Sequence, residues 1–333
     1  MLTAFVTGCA SGFGLALARR LLARGDAVVA TDEAVDPDWA AALPASDRLR
    51  TFRLDVRRDD DVRAVTEAVL RAGPVDLLVN NAGIAWFGTQ EEGDVEAFRD
   101  LLDVNVLGPA RVTRALLPSL RARRGTVVNL SSVAGRTVFP ESGFYAATKH
   151  AVEAMSEALF QETCTFGVRV RLIEPGSFAT RFLERAAAAS PVPPPSSPYA
   201  PLREAWGARK GGVLEVPQDP EQVVDAIVRS LDDPAPFRRV PVGPDAERIL
   251  ALRDALGPDP WTRLAGDRNG LVAPHTGDEV PSAEELLALP DVDPRWALVR
   301  AAHAHGHLEH WAETEAGRRA LARLAPPEPA EQA

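Results

Sequence analysis

Short apolar runs alternate with amphipathic stretches of helical period through the first two-thirds of the chain. Leu2 to Val6, AVVATD ending on Asp32, Leu49 to Val56, Val75 to Gly83, Gly125 to Leu130, Val168 to Gly176 and Phe237 to Gly243 read as seven strands. Between them, LALARRLLARG, DDDVRAVTEAVLRAG, residues 94 to 121, a helix running past Tyr145 to about Phe166, Pro220 to Leu231 and PDAERILALRDALG have helical spacing. Strands and helices in strict alternation predict an α/β fold, a doubly wound parallel sheet. The continuous apolar run before Asn80 predicts a central strand buried on both faces. Within residues 94 to 121 the periodicity breaks near Gly108 and Pro109, and Asn105 lies inside it. An Asn amide competes for backbone hydrogen bonds in a helix, so a kink or a bound water is expected there.

The pattern changes at Ala186, where AAAASPVPPPSSPYAP cannot form a regular core element. Its position between the sixth strand and the next helix predicts a lid at about residues 182 to 218 over a pocket. Residues 1 to 257 are expected to form one domain. Residues 258 to 333 are expected to form an α-helical C-terminal extension, with helices at Ser282 to Leu289 and Pro294 to Leu324. In that extension His303, His307 and His310 share one helical face. With no Cys or Asp nearby they read as a solvated face, and no metal is expected.

At 333 residues, 46% hydrophobic and 25% charged, the composition is that of a globular protein. A formal net charge of -10 argues against nonspecific nucleic-acid binding and against docking on anionic membranes. Two cysteines, Cys9 and Cys164, exclude a disulfide framework and fit a reducing cytoplasm. No apolar run approaches the ~20 residues of a membrane span. LTAFVTG already reads as strand and turn, so no leader is expected.

TGCASGFG, Thr7 to Gly14, joins the first strand to the first helix. In that context glycines let a helix N-terminus approach a diphosphate. Asp32, at the end of the second strand, is placed to accept hydrogen bonds from adenosine ribose hydroxyls and to repel a 2′-phosphate, which favours NAD over NADP. No Arg follows it, and Ser11 rather than a basic residue precedes Gly12. Asp55 falls where the adenine edge is expected, and Asn80 is expected to pack against the cofactor. NLSSVAGRTVFPESGFYAATK, Asn129 to Lys149, carries Tyr145 and Lys149 four residues apart, on one helix face. A phenol beside an ammonium group predicts a tyrosine pKa pulled toward neutrality, as proton exchange near pH 7 requires.

With TGCASGFG, NNAG, Asn105, Ser132, Tyr145/Lys149 and Pro175-Gly176 in this order, residues 1 to 257 resemble the short-chain dehydrogenase/reductase family. Within it, the GCxSGFG turn is similar to the branch of retinol and 17β-hydroxysteroid dehydrogenases. The resemblance implies a Rossmann-type seven-stranded sheet and a short-chain alcohol dehydrogenase or ketoreductase. It implies Tyr145 as acid/base, with Lys149 lowering its pKa and holding the nicotinamide ribose. It further implies Ser132, rather than Ser131, on the substrate oxygen and Asn105 holding a relay water. The cofactor would lie along Gly8, Ser11, Gly12, Phe13, Gly14 and Asp32, then Asp55, Val56, Asn81, Ala82 and Gly83. Pro175, Gly176, Phe178 and the carboxamide-binding Thr180 would meet its nicotinamide end.

Trp86, Phe87, Phe139, Phe178, Phe182 and Trp206, with Val133, are expected around the nicotinamide. Such an apolar pocket favours a bulky lipophilic secondary alcohol or ketone, steroid-, retinoid- or polyketide-like. The competing readings are a dehydratase or epimerase using the same Tyr and Lys, which usually has TGxxGxxG, and a non-catalytic nucleotide-binding protein. The family resemblance also implies a homodimer or homotetramer.

Overall fold

In the computed structural model, residues 1–34, 38–190, 192–204, 206, 218–258, 261–262, 287 and 314–324 are described below. The chain divides into two compact units, Met1–Ser197 with Gly211–Glu247, and Pro198–Lys210 with Arg248–Ala333. In chain order the first elements are β1 (Thr3–Thr7), α1 (Gly12–Ala23), β2 (Ala27–Asp32), α2 (Asp38–Ala41), β3 (Leu49–Arg53), α3 (Asp59–Ala72) and β4 (Leu77–Asn80). Next come α4 (Val95–Leu102), a π-helical turn (Asp103–Leu107), α5 (Gly108–Arg123), β5 (Thr126–Leu130), a 3-10 turn (Val133–Gly135) and α6 (Gly143–Thr163). A 3-10 turn (Cys164–Phe166), β6 (Arg169–Pro175), α7 (Arg181–Ala189), α8 (Glu221–Asp232), β7 (Phe237–Val242), α9 (Pro244–Leu256) and α10 (Glu315–Leu324) follow.

The seven strands form one sheet in the order β3-β2-β1-β4-β5-β6-β7, with every neighbouring pair parallel. β4 and β5 are buried at every position, as expected of strands covered on both faces. One face packs Leu17, Ala18 and Leu21 of α1 with Val223 and Ile227 of α8. The other packs Val62, Val65 and Val69 of α3 with Val112, Leu116 and Leu120 of α5. Strand order reverses between β1 and β4, which opens a crevice beyond their carboxyl ends.

The seven expected strands are present, with β3 to β7 shorter than expected. β3 stops at Arg53, and its ladder with β2 ends in the bond from Leu54 N to the Asp32 carbonyl at 2.7 Å. The irregularity expected near Gly108 and Pro109 falls earlier, as the π-turn centred on Asn105, and α5 starts at Gly108 itself. Where the Ala-rich run suggested no regular element, α7 continues through Ala189, since Thr180 caps its start and only the prolines beyond end it. The predicted helix at residues 282 to 289 and most of that at 294 to 324, with His303, His307 and His310, lie outside the described residues; α10 falls within the latter range.

Candidate active site

The crevice is lined first by the turn between β1 and α1. Gly8 has φ +74° and Gly12 φ +56°, both left-handed, where a side chain costs about 1–2 kcal/mol. Gly14 has a different constraint. A Cβ there would lie 2.1 Å from the Gly8 carbonyl oxygen and 2.6 Å from Asn81 Nδ2. Ser11, the N-cap of α1, makes no side-chain cap bond, so the first-turn N–H groups are left for an external acceptor. Asp32 holds the turn from the next strand, its Oδ2 accepting from Ala10 N at 2.8 Å and its Oδ1 from Ala34 N at 3.0 Å. Asp55 accepts from Arg57 through both carboxylate oxygens at 2.9 Å, and Arg57 also pairs with Glu33 at 3.0 Å. Uncapped helix amides and a turn in which Gly8 and Gly14 have no room for a Cβ fit a dinucleotide diphosphate.

NNAG sits across the crevice from this turn. Asn81 Nδ2 donates to Thr7 O and Gly8 O at 2.9 and 3.0 Å, while Thr7 Oγ1 accepts from the amides of Asn81 and Ala82 at 3.0 Å. Asn80 does not face the cofactor side, contrary to expectation. Its Nδ2 donates to Thr113 Oγ1 and Asn129 Oδ1, on the side of the sheet covered by α5 and α6, because successive strand side chains point to opposite faces. Gly83 lies beside the next group; a Cβ there would be 3.2 Å from Asn105 Oδ1 and 3.8 Å from Lys149 Nζ.

Tyr145 and Lys149 occupy the first two turns of α6, both buried. Lys149 Nζ donates to the Leu130 carbonyl at 2.7 Å and lies 5.8 Å from the Tyr145 ring centroid. Ser132 follows β5 and caps the 3-10 turn by accepting from Ala134 N, and its hydroxyl is close enough to the Tyr145 phenol to oppose the effect of burial on it. Ser131 points elsewhere, its hydroxyl buried near Gly135 and Glu153. Asn105 donates to Ile84 O at 2.8 Å and to Thr148 Oγ1 at 3.0 Å, and accepts from Ile84 N at 2.9 Å. That side chain ties NNAG to α6, and the π-turn is the backbone distortion that carries it there. Such turns concentrate at functional sites.

The expected lowering of the tyrosine pKa is not present in the protein alone. Burial pushes Tyr145 up to about 12, with the Ser132 hydrogen bond opposing. Burial also lowers Lys149 to about 8, against the negative charge of Glu153. In the protein alone, burial thus works against the charged form of both groups.

Phe182 packs on Tyr145 with ring centroids 5.8 Å apart. Phe87 joins the same small cluster, which also contains Ala85, Ala134 and Ala186. Val133 is buried and Phe139 half-buried beside Ser142, to whose hydroxyl its amide donates. Two expected pocket aromatics are packing residues instead. Trp86 is buried and stacked on Phe144, which stacks in turn on Phe98. Phe178 is buried in the core beneath α1 with its ring edge-on to Phe13 at 5.8 Å. Each is placed where it removes the most apolar surface from water. Trp206 belongs to the second unit. Thr180, the N-cap of α7, faces Gly12, with its Cβ 3.7 Å from where a Gly12 Cβ would stand.

Two positioning groups escaped the sequence reading. Asp245, fully buried, accepts from Ser177 N at 2.8 Å and from Gln218 Nε2 at 3.2 Å, and so fixes the loop after Pro175-Gly176. A Gly-Pro-Asp at a helix start was its only sequence signal. Arg57 was missed because its partners come from β2 and its own loop. Among the described residues no group of His, Cys, Asp and Glu is arranged to hold a metal ion, and no helix is long and apolar enough to cross a membrane.

The fold is a doubly wound parallel α/β sheet with Tyr145 and Lys149 buried together beside Ser132. The short chain dehydrogenase family model matches residues 2–190, and the chain belongs to this oxidoreductase family. It is 35% identical over 269 residues to the uncharacterized oxidoreductase YusZ of Bacillus subtilis, covering 78% of this chain and 94% of that protein. It is 45% identical over 179 residues to retinol dehydrogenase 7 of Mus musculus, covering 53% of this chain and 56% of that one. Thus the chain spans about half the length of the retinol dehydrogenase it matches. A short-chain dehydrogenase structure from Streptomyces avermitilis is 36% identical with TM-score 0.66, covering 80% of this chain and 98% of that one. Two relatives of 26% identity were solved with nucleotides: one from Burkholderia phymatum with NAD (TM-score 0.64, covering 77% and 92%) and one from Burkholderia cenocepacia with NADP (TM-score 0.63, covering 82% and 98%).

Proposed function

We propose that the protein is an NAD-dependent oxidoreductase that interconverts a bulky, lipophilic secondary alcohol and its ketone. The observation that carries this reading is the buried Tyr145 phenol, with Lys149 Nζ 5.8 Å from its ring and Ser132 beside it, near the glycine turn. A bound nicotinamide supplies the hydride acceptor or donor. Tyr145 takes the proton from the alcohol or returns it to the carbonyl oxygen, and Ser132 orients that oxygen. Lys149 holds the nicotinamide ribose, Asn105 the water through which protons reach the lysine, and Thr180 the carboxamide.

NAD is favoured over NADP by charge. Asp32, Glu33 and Asp55 surround the adenosine end, and the cation there, Arg57, is already paired with Glu33 and Asp55. A 2′-phosphate would meet uncompensated carboxylate charge. The lipophilic substrate class rests on Phe182, Phe87 and the alanines around Tyr145 and on the retinol dehydrogenase relative. Self-association through the helices bearing Asn105 and Tyr145, and a cytoplasmic location, belong to the same proposal.

Cofactor reduction measured with NAD and NADP across small, steroid-like and retinoid-like alcohols tests the reading. Turnover of lipophilic alcohols with NAD, abolished by Tyr145→Phe without loss of NADH binding, is expected. A fully active Y145F protein, or turnover of small hydrophilic alcohols alone, refutes it.

A further inference from the structure

Beyond Lys149, on the same helix, is a charged group that the proposed reaction does not use. Glu153 lies one turn after Lys149 on α6, and Glu174 is on β6; both are buried, Glu174 completely. Arg239 of β7 donates Nε to Glu153 Oε2 at 2.9 Å and also pairs with Glu157. Around Glu174, Arg239 Nε is 3.6 Å from Oε1 and Arg136 Nη1 is 3.7 Å from Oε2, beyond hydrogen-bonding distance. Both Glu174 oxygens and Glu153 Oε1 are therefore buried acceptors with no donor. Such groups are rare and costly in native proteins.

A proton supplies the missing donor. Glu153 Oε2 and Glu174 Oε1 both approach Arg239 Nε, at 2.9 and 3.6 Å, so a proton carried by Glu174 can serve both carboxyl groups and leaves Glu153 as the anion paired with Arg239. We propose that Glu153 and Glu174 share one proton in the native protein and act as positioning residues that hold Lys149 in its ammonium form. The role assigned to Lys149 rests on the proposed oxidoreductase function. Burial and the Glu153 charge raise Glu174 to about 8, the same region to which burial lowers Lys149. As alkali removes the shared proton, a second negative charge appears behind Lys149 where the lysine would otherwise discharge. The charged groups facing the pair are Lys149 and Glu157 from α6, Arg239 from β7 and Arg136 from the loop after β5; the Ser131 hydroxyl beside them is neutral.

The sequence makes this directly measurable, because Lys149 and Lys210 are its only lysines. Nitrogen-15-lysine NMR of the full chain follows Lys149 across alkaline pH, and infrared spectra follow protonated carboxyl groups. A carboxylic-acid band is expected in the wild type at neutral pH and lost in Glu174→Gln. Lys149 is expected to discharge about one pH unit lower in Glu153→Gln, with Glu174→Gln between the two. No such band in the wild type, or an unmoved Lys149 titration in a folded E153Q protein, overturns the proposal. A purely structural role lowers the melting temperature and leaves that titration in place. Both readouts are independent of turnover, so a protein that passes them but never reduces NAD refutes the oxidoreductase reading and not the shared proton.

Discussion

The titration of Tyr145 tests the chemistry of the site most directly. The chain has two tyrosines, Tyr145 and Tyr199, so alkaline phenolate absorbance resolves into two steps, and Tyr145→Phe identifies one of them. In the free protein Tyr145 stands at about 12 against an ordinary 10.0, a penalty on the phenolate of about 3 kcal/mol. Proton exchange near pH 7 from there requires about 7 kcal/mol of added stabilisation. One unit charge at the 5.8 Å that separates Lys149 Nζ from the Tyr145 ring supplies about 3 kcal/mol at an effective dielectric constant of ~20. A single charge is not enough, and two come close. The second is the positive ring of the oxidised nicotinamide, which the reduced cofactor lacks. NAD+ is therefore expected to move the Tyr145 step down by several pH units, and NADH to move it much less. Two free-protein steps coinciding near 10, or equal effects of NAD+ and NADH, refute the reasoning.

Three further outcomes follow from the same geometry. Gly14→Ala forces a Cβ to within 2.1 Å of a backbone oxygen that Asn81 holds in place, at a cost of about 1–3 kcal/mol that about 1 kcal/mol of helix propensity offsets in part; a lower melting temperature and weaker NADH binding are expected, and wild-type values for both would show that the turn yields. Asp32→Ala removes two backbone hydrogen bonds and the charge at the ribose; kcat/KM with NAD should fall about tenfold or more while the ratio of NADP to NAD use rises, and an unchanged ratio counts against the charge argument. On the shared-proton proposal, Glu174 keeps in the native state a proton that the unfolded chain releases near 4.5. Its stabilising contribution is complete below that value and is lost as pH rises through about 8, so Glu174→Gln should flatten the fall in denaturant stability between those limits; an unchanged slope would mean that the carboxyl is ionised in the fold.

How much of the molecule the sequence reveals depends on the range of the interaction concerned. The strands were legible because β4 and β5 are mostly apolar and buried at every position, as burial on both faces requires. The glycine turn was legible because left-handed φ at Gly8 and Gly12 selects glycine locally. Tyr145 and Lys149 were legible as a pair because helix periodicity alone puts them on one face. The choice of Ser132 over Ser131 drew on family spacing, and Ser131 turns its hydroxyl instead toward Gly135 and Glu153.

Tertiary structure decided what depends on distant neighbours. Strand alternation turns Asn80 to Thr113 and Asn129 and leaves Asn81 for the crevice. The fates of Trp86 and Phe178 followed from Phe144 and Phe13, residues far away in the chain or across the sheet. Asn105 showed as a poor helix residue, but only the packing of α6 against NNAG gives its amide three partners and makes a π-turn the way to reach them. The sign of the tyrosine shift was also beyond the sequence. Spacing brings the lysine close, whereas burial sets both pKa values, and burial is a property of the whole fold. Glu153 and Glu174 meet for the same reason, since a helix and a strand bring together two acids that neither would place beside the other alone.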